Sequence, residues 1–292
     1  MSTTGERFER AVAIMRRLRA PGGCPWDREQ TFDSIKPYTL EETYEVLEAI
    51  DNRDWQELPG ELGDLLLQVL FYSEMAQEKG TFSIDDVLDR LTSKLVDRHP
   101  HVFGDTAAET AADVKRNWEA LKAEERNKKA SSSPQEPRSM LAGISSAMPS
   151  MMEANKLSSR AAQAGFDWSD IEGLFAKLGE EADELRELVG ALPVSPHPHS
   201  RGVAGSGRQA ISGDLRAKLE EEIGDLFFVM VNFARFLEVD PESALRKTNR
   251  KFKQRFQWME ERLRERESAP DKVPMDELES LWQQAKRQEK SA

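Results

Sequence analysis

The chain has 292 residues, 32% of them charged, and its formal net charge is −12. This acidity argues against a dedicated nucleic-acid or membrane-surface binder, because those partners are anionic and favour a basic protein face. It suits a soluble protein that collects divalent cations. A single cysteine, Cys24, excludes an internal disulfide and favours a cytoplasmic location.

Apolar residues recur at helical spacing almost throughout the chain. Val12, Met15 and Leu18 give one example, whereas no convincing run alternates like a β-strand. The first residues, MSTTGERFERAV, contain no apolar signal core, and the runs LLLQVLFY and LFFVMVNF are too short to cross a bilayer. The sequence therefore predicts an almost all-α protein in which both apolar runs form core helices.

Two stretches interrupt the helical pattern. The segment NKKASSSPQEPRS, residues 127–139, is rich in serine, proline and charge. It predicts a linker between an N-terminal helical domain, residues 1–126, and a C-terminal helical domain, residues 140–292. The segment GALPVSPHPHSRGVAGSGRQAISG, residues 190–213, predicts a long flexible loop inside the C-terminal domain.

The two halves repeat the same segments in the same order. LEETYEVLEAI aligns with GEEADELRELV, GELGDLLLQVLFYSEMA with EEIGDLFFVMVNFARFL, KLVDR with KFKQR, and WEALKAEE with WQQAKRQE. Four matches in one order indicate a duplicated unit. Glu41 and Glu61 are 20 positions apart, whereas Glu180 and Glu222 are 42 apart, and the 190–213 loop accounts for the difference.

Acidic residues three positions apart share a helix face in both halves. The pairs are Glu42 and Glu45, Glu61 and Asp64, Glu181 and Glu184, and Glu222 and Asp225. Two facing helices would bring four carboxylates together, and either a metal ion or Lys and Arg partners must offset their repulsion. Hard oxygen ligands at this density favour Mg²⁺, with Mn²⁺ as the alternative. We interpret Glu48 and Glu187 as solvent-exposed.

Lysines distinguish the second half from the first. Lys177 and Lys218 precede the second-half acids, whereas the matching first-half positions are Tyr38 and Glu57. A ligand with several negative charges is bound through lysine or arginine. The second half is therefore better equipped to bind an anionic ligand.

Three segments carry a family resemblance. GCPWDREQTFDSIKPYTLEETYEVLEAI, GELGDLLLQVLFYSEMA and RHPHVFGD closely resemble the MazG nucleoside triphosphate pyrophosphohydrolases. The EExxE…ExxD pattern recurs across the all-α NTP pyrophosphatase superfamily, whereas GCPWD and RHPHVF are more specific to MazG. The resemblance covers nearly the whole chain. It implies tandem helical bundles completed by a second subunit, and Mg²⁺-dependent hydrolysis of NTPs and dNTPs to monophosphate and pyrophosphate in nucleotide-pool house-cleaning.

The resemblance also implies roles for individual residues. It assigns Mg²⁺ to Glu181, Glu184, Glu222 and Asp225. It assigns nucleotide contacts to Lys177, Lys218, Lys251, Arg255 and Trp282. Without the resemblance, Trp282 would be interpreted as a core or interface residue. We hypothesise that Glu180 orients or deprotonates the attacking water.

The first half and two other functions stay open. Its acids, Glu42, Glu45, Glu61 and Asp64, form a second candidate metal site. That half either acts on other nucleotides or mainly holds a homodimer together. A non-catalytic nucleotide-sensing dimer is an alternative function, although a pure binder would not need the complete acid sets. A narrow dUTP or dCTP pyrophosphatase is another, because base selectivity depends on loop geometry.

Overall fold

A computed structural model describes residues 2–104, 110, 114, 117, 139–190 and 211–289. Within these residues every regular element is helical and no strand occurs, which confirms the all-α prediction. None of the described helices combines the length and apolar character that a bilayer crossing requires. The predicted linker 127–139 and loop 190–213 lie outside the described residues except at their ends, as does the segment WEALKAEE.

The chain divides into two compact units, Met1–Pro134 and Gln135–Ala292. The first unit contains α1 (Thr4–Arg19), α2 (Pro25–Glu29), α3 (Phe32–Asn52), α4 (Leu58–Glu78), α5 (Ile84–Asp97) and α6 (Pro100–Phe103). The second contains α7 (Ser150–Gln163), α8 (Ile171–Gly190), α9 (Gly213–Phe236), α10 (Pro241–Arg264), a short 3₁₀ turn (Pro270–Lys272) and α11 (Met275–Glu289).

Side-chain caps fix where several helices begin. Thr3 and Thr31 form capping boxes at α1 and α3, so that side chain and backbone satisfy each other at both helix starts. Ser212 caps α9, and Asp240 caps α10 by accepting a 2.8 Å hydrogen bond from the backbone N–H of Ser243. The caps at Thr31 and Ser212 thus fix the starts of α3 and α9, two of the helices that carry the paired acids.

A tight connection joins α3 to α4. Arg53 adopts a left-handed conformation with φ 59°, which ends α3. The carboxylate of Asp54 then accepts hydrogen bonds from the backbone N–H groups of Gln56 and Glu57 and turns the chain into α4. A connection this short makes neighbouring helices antiparallel, and α3 packs along α4.

The helix pair is repeated in the second unit, where α8 packs along α9. Apolar side chains hold each pair. The first-unit core consists of Met15, Ile35, Leu70, Phe71, Met75 and Ile84. In the second unit Leu174, Val229 and Phe233 form the core of the α8–α9 pair, and Met259, Leu263, Val273 and Leu281 form a separate cluster between α10, α11 and the segment that connects them.

Both apolar runs contribute to the cores, as predicted, but one face of α4 and one face of α9 are exposed. In α4 the side chains of Leu62, Leu66 and Val69 are 49%, 41% and 38% exposed. In α9 the matching side chains of Ile223, Phe227 and Met230 are 43%, 56% and 51% exposed. These positions follow an i, i+4, i+7 pattern and form a stripe on one helix face. Packing within the unit buries the opposite face. Each helix is therefore apolar on one buried face and on one exposed face.

Candidate metal and nucleotide site

The α8–α9 pair brings the second-half acids together. One carboxylate oxygen from each of Glu181, Glu222 and Asp225 lies within 4.8 Å of the other two. Glu181 is buried, Glu222 is half-buried and Asp225 is exposed, so the cluster is open on one side. Glu184, which the sequence analysis included, lies beside Glu222 and interacts with it.

Electrostatics at Glu222 favours a bound cation. Burial raises the pKa of Glu222, and repulsion from Glu184, Glu181 and Asp225 raises it further. Its Oε2 atom is enclosed and has no hydrogen-bond partner among the described residues. A half-buried carboxylate in this setting requires a proton or a cation. The oxygen donors and the unpartnered atom therefore fit Mg²⁺ or Mn²⁺.

The first unit contains an equivalent cluster between α3 and α4. Oxygens of Glu42, Glu45 and Glu61 lie within 4.8 Å of one another. Burial raises the pKa of Glu42, and so does the charge of Asp64, which places Asp64 beside the cluster. Burial also raises the pKa of Glu61, with added repulsion from Glu45, Glu57 and Asp64. Both predicted acid sets are therefore assembled in space.

A lysine side chain binds directly to the second cluster. The Nζ atom of Lys177 lies 2.8 Å from Oε1 of Glu180 and 2.7 Å from Oε1 of Glu181. These hydrogen bonds, the one to Glu180 first, raise the pKa of the Lys177 ammonium well above its usual value. Pairing of acids with lysine, one of the alternatives to a metal, thus occurs at Glu181. The spacing of three and four positions on one helix is the sequence signal for it.

Of the remaining predicted nucleotide contacts, Lys218 lies on α9 with Glu222, whereas Lys251 and Arg255 lie on α10 and Trp282 on α11. The guanidinium carbon of Arg255 lies 5.4 Å from the ring centroid of Trp282, and its Nη2 lies 2.5 Å from Oε2 of Glu289. Trp282 is half-buried and packs against the second-unit cluster around Met259. Lys218 and Lys251 are exposed. No contact within the described residues joins Arg255 or Trp282 to the acids.

The sequence analysis did not single out Gln68. This side chain is buried in α4, and its Nε2 donates a 3.4 Å hydrogen bond to Oε1 of Glu42. Its Oε1 has no partner among the described residues. Gln68 lies seven positions after Glu61 and four after Asp64, which places all three on one helix face. The amide within the apolar run LLLQVLFY is the sequence signal for this residue, and the matching second-half residue is Val229.

The raised pKa of Glu222 predicts how stability depends on pH. A carboxyl with a folded pKa above its unfolded value destabilises the fold at neutral pH, and this loss disappears as the pH falls through the folded pKa. In EDTA at pH 8 we expect the Glu222→Gln variant to have a higher melting temperature than the unmodified protein. This difference in melting temperature should shrink towards pH 5. Mn²⁺ should raise the melting temperature of the unmodified protein more than that of the variant.

Differential scanning calorimetry with and without Mn²⁺ measures both effects. Glu187→Gln is the matched control, because Glu187 is exposed on the same helix pair and lies outside the cluster. A lower melting temperature for Glu222→Gln in EDTA, or equal stabilisation of both proteins by Mn²⁺, would contradict the electrostatic account.

Comparison with known proteins identifies the family. The sequence pattern of the MazG nucleotide pyrophosphohydrolase domain matches residues 30–103 and 170–259. The chain is 45% identical over 284 residues to the nucleoside triphosphate pyrophosphohydrolase of Escherichia coli, covering 97% of this chain and 98% of that protein. It is 42% identical over 286 residues to the nucleoside triphosphate pyrophosphohydrolase/pyrophosphatase MazG of Thermotoga maritima, covering 98% of each.

A shorter match extends the comparison. The nucleoside triphosphate pyrophosphohydrolase of Mycobacterium tuberculosis is 41% identical over 184 residues, covering 62% of this chain and 53% of that protein. The two segments matched by the domain pattern contain the acidic helix pairs of the first and second units. The chain therefore belongs to the MazG nucleotide pyrophosphohydrolase family.

Proposed function

We propose that this chain hydrolyses nucleoside and deoxynucleoside triphosphates to the monophosphate and pyrophosphate with Mg²⁺, and that the second unit is the catalytic one. The observation that carries the proposal is the convergence of Glu181, Glu222 and Asp225 within 4.8 Å, with an oxygen of Glu222 left unpartnered. The names of the Escherichia coli and Thermotoga maritima relatives support the reaction.

The acidic residues divide into metal ligands and one candidate general base. The acids Glu181, Glu184, Glu222 and Asp225 would hold Mg²⁺, and Mn²⁺ could take its place. When bound, the ion polarises phosphate oxygens and offsets the charge that develops on the leaving pyrophosphate. The Glu180 side chain is 56% exposed and adjoins the cluster, so it can orient the attacking water and accept its proton.

Cationic and aromatic groups would bind the nucleotide itself. Lys177 and Lys218 serve the phosphates, whereas Lys251, Arg255 and Trp282 serve the rest of the nucleotide. The contact between Arg255 and Trp282 supports a shared role for these two residues. An indole face stacks on any base, which suits an enzyme of broad base preference. The cytoplasm is the predicted location, and nucleotide-pool house-cleaning is the proposed role.

The different partners of the two clusters favour the second unit for catalysis. Glu181 is bound by the ammonium of Lys177, a group that can also bind phosphate. Its first-unit counterpart, Glu42, is bound by the neutral amide of Gln68. We infer that the helical domains 1–126 and 140–292, joined by the linker 127–139, have diverged, with the first contributing more to assembly.

Exposed apolar stripes support a homodimer. The stripe on α4 consists of Leu62, Leu66 and Val69, and α3 exposes a second stripe of Leu40, Tyr44 and Leu47. The matching α8 positions are the polar or small Gly179, Asp183 and Arg186. The α3–α4 pair of the first unit therefore exposes more apolar surface to solvent than the α8–α9 pair does. A second copy that covers this surface would complete a helical bundle.

The proposed division of labour predicts unequal effects of matched substitutions. Glu222→Ala should lower kcat for dNTP hydrolysis by at least about a hundredfold, because it removes charge stabilisation from the transition state. Glu61→Ala, at the matching first-unit position, should lower it by less than about threefold. Pyrophosphate release from a panel of dNTPs with Mg²⁺ measures both. Equal losses in the two variants would refute the assignment to the second unit.

The role of Glu180 predicts a split between turnover and metal binding. Glu180→Gln should lower kcat by about a hundredfold, the usual contribution of a general base. Its Mn²⁺ affinity should change by less than about threefold, because Glu180 lies outside the group of converging ligands. Single-turnover kinetics and electron paramagnetic resonance of Mn²⁺ measure the two quantities. Equal losses of turnover and affinity would make Glu180 a ligand rather than a base.

The apolar stripes predict which variants dissociate. Leu66→Glu together with Val69→Glu should convert a dimer to a monomer at micromolar concentration, because burying each apolar side chain contributes about 1.5–3 kcal/mol. Gln56→Glu is the control, since Gln56 is exposed outside the stripe. Sedimentation equilibrium measures the assembly. A dimer of unchanged affinity in the double variant would place the interface elsewhere.

A further inference from the structure

We propose that Lys177 is an internal counter-cation of the second-unit site, so that binding of a triphosphate releases Glu181 and couples metal binding to nucleotide binding. The inference rests on the proposed function and adds that metal binding at the second-unit site depends on nucleotide. The second site would take up its divalent ion weakly without nucleotide, whereas the first site would not depend on nucleotide in this way.

The geometry brings two cations to one carboxylate. The ammonium of Lys177 is 2.7 Å from Oε1 of Glu181, whose side chain is only 4% exposed. Mg²⁺ binds carboxylate oxygens at about 2.0–2.1 Å, so an ion on the same oxygen of Glu181 would lie within about 5 Å of that ammonium. Positive charges this close repel each other strongly in a half-dehydrated site. A divalent ion at Glu181 therefore gains less while Lys177 stays in place.

The lysine can leave the carboxylates without any rearrangement of the helix. Lys177 precedes Glu180 by three positions and Glu181 by four on α8. Rotation of the Lys177 side chain alone can therefore change its partner. The Lys177 side chain is 36% exposed, which gives its charged end access to solvent. A triphosphate offers it several anionic oxygens in place of the two glutamates.

The first unit provides an internal comparison. Tyr38 occupies the position of Lys177 and packs edge-on against Trp26, with ring centroids 6.0 Å apart. Glu42, which matches Glu181, receives its hydrogen bond from the uncharged amide of Gln68. An ion at Glu42 therefore meets no ammonium on this carboxylate among the described contacts. The two sites have similar acids but different requirements for metal uptake.

Reciprocity is the consequence of this arrangement. If nucleotide removes the ammonium from Glu181, nucleotide raises metal affinity, and metal must raise nucleotide affinity by the same factor. Bridging of phosphate by the metal also couples the two ligands, with or without a lysine. The contribution of Lys177 is thus the part of the coupling that disappears when its charge is removed.

The first test measures Mn²⁺ affinity without nucleotide, using the full chain. Glu42→Gln and Glu61→Gln are introduced together to silence the first site, and Lys177→Met is compared with the parent in that background. Electron paramagnetic resonance should report affinity about tenfold tighter after Lys177→Met. Lys177→Arg keeps the charge and should stay close to the parent. Unchanged or weaker affinity in Lys177→Met would overturn the inference.

A second measurement uses an α,β-imido deoxynucleoside triphosphate, which resists cleavage between the α- and β-phosphates. The ratio of its dissociation constants with and without Mn²⁺, corrected for complexes of Mn²⁺ with free nucleotide, gives the coupling. Lys177→Met should reduce this ratio by about the same factor by which it tightens Mn²⁺ alone. An undiminished ratio would contradict the inference, even if hydrolysis is normal.

The reciprocal substitution tests the same idea in the first unit. With Glu181→Gln and Glu222→Gln silencing the second site, Tyr38→Lys should weaken Mn²⁺ binding by the first site, with Tyr38→Met as the uncharged control. Equal affinity in the two variants would count against the inference. If the parent takes up no Mn²⁺ at the second site even with the nucleotide analogue, the proposed function itself fails; uptake that ignores Lys177 removes only the coupling.

Discussion

Repulsion among carboxylates on paired helices is the constraint on which the rest of this protein depends. In each unit, helix packing places three acids within 4.8 Å and encloses part of the cluster. The free energy for this comes from apolar contacts elsewhere in the same pair, such as the core of Leu174, Val229 and Phe233 beneath α8 and α9. Burial, and then repulsion from the neighbouring acids, raises the pKa of Glu61 and of Glu222. A fold that holds several carboxylates close together favours a bound cation, because the ion relieves a repulsion that already exists.

The two units reduce the repulsion by different means, although their helices and acid spacing match. In the first unit a buried amide, that of Gln68, donates to Glu42. In the second unit Val229 replaces the amide, and the ammonium of Lys177 binds Glu181 from the same helix. A neutral donor contributes a hydrogen bond without removing charge, whereas an ammonium neutralises one carboxylate. Duplication thus preserved the scaffold while the groups around one carboxylate changed, and those groups are what could make two similar clusters behave differently.

Much of this arrangement can be predicted from the sequence, because helical periodicity fixes which residues share a face. The spacing of Glu222 and Asp225, and of Glu181 and Glu184, is local and sufficient to place each pair. The pairing of Lys177 with Glu181 is equally local, but its preference for the glutamate depends on rotamers that spacing does not determine. The ion pair between Arg255 and Glu289 joins residues 34 positions apart, and such contacts follow only from the packing of α10 on α11. Apolar composition likewise predicted α4 to be buried, but composition does not say which molecule covers each face.

The exposed stripes and the acidic clusters lie on different faces of the same helices. Leu62 directly follows Glu61 in α4, and Ile223 directly follows Glu222 in α9. Consecutive residues of an α-helix are about 100° apart around its axis, so a second molecule can cover a stripe and leave the acids facing their partner helix. A homodimer that covers the stripes would therefore use residues separate from the acids, so the proposed assembly and the proposed metal binding can be changed by different substitutions.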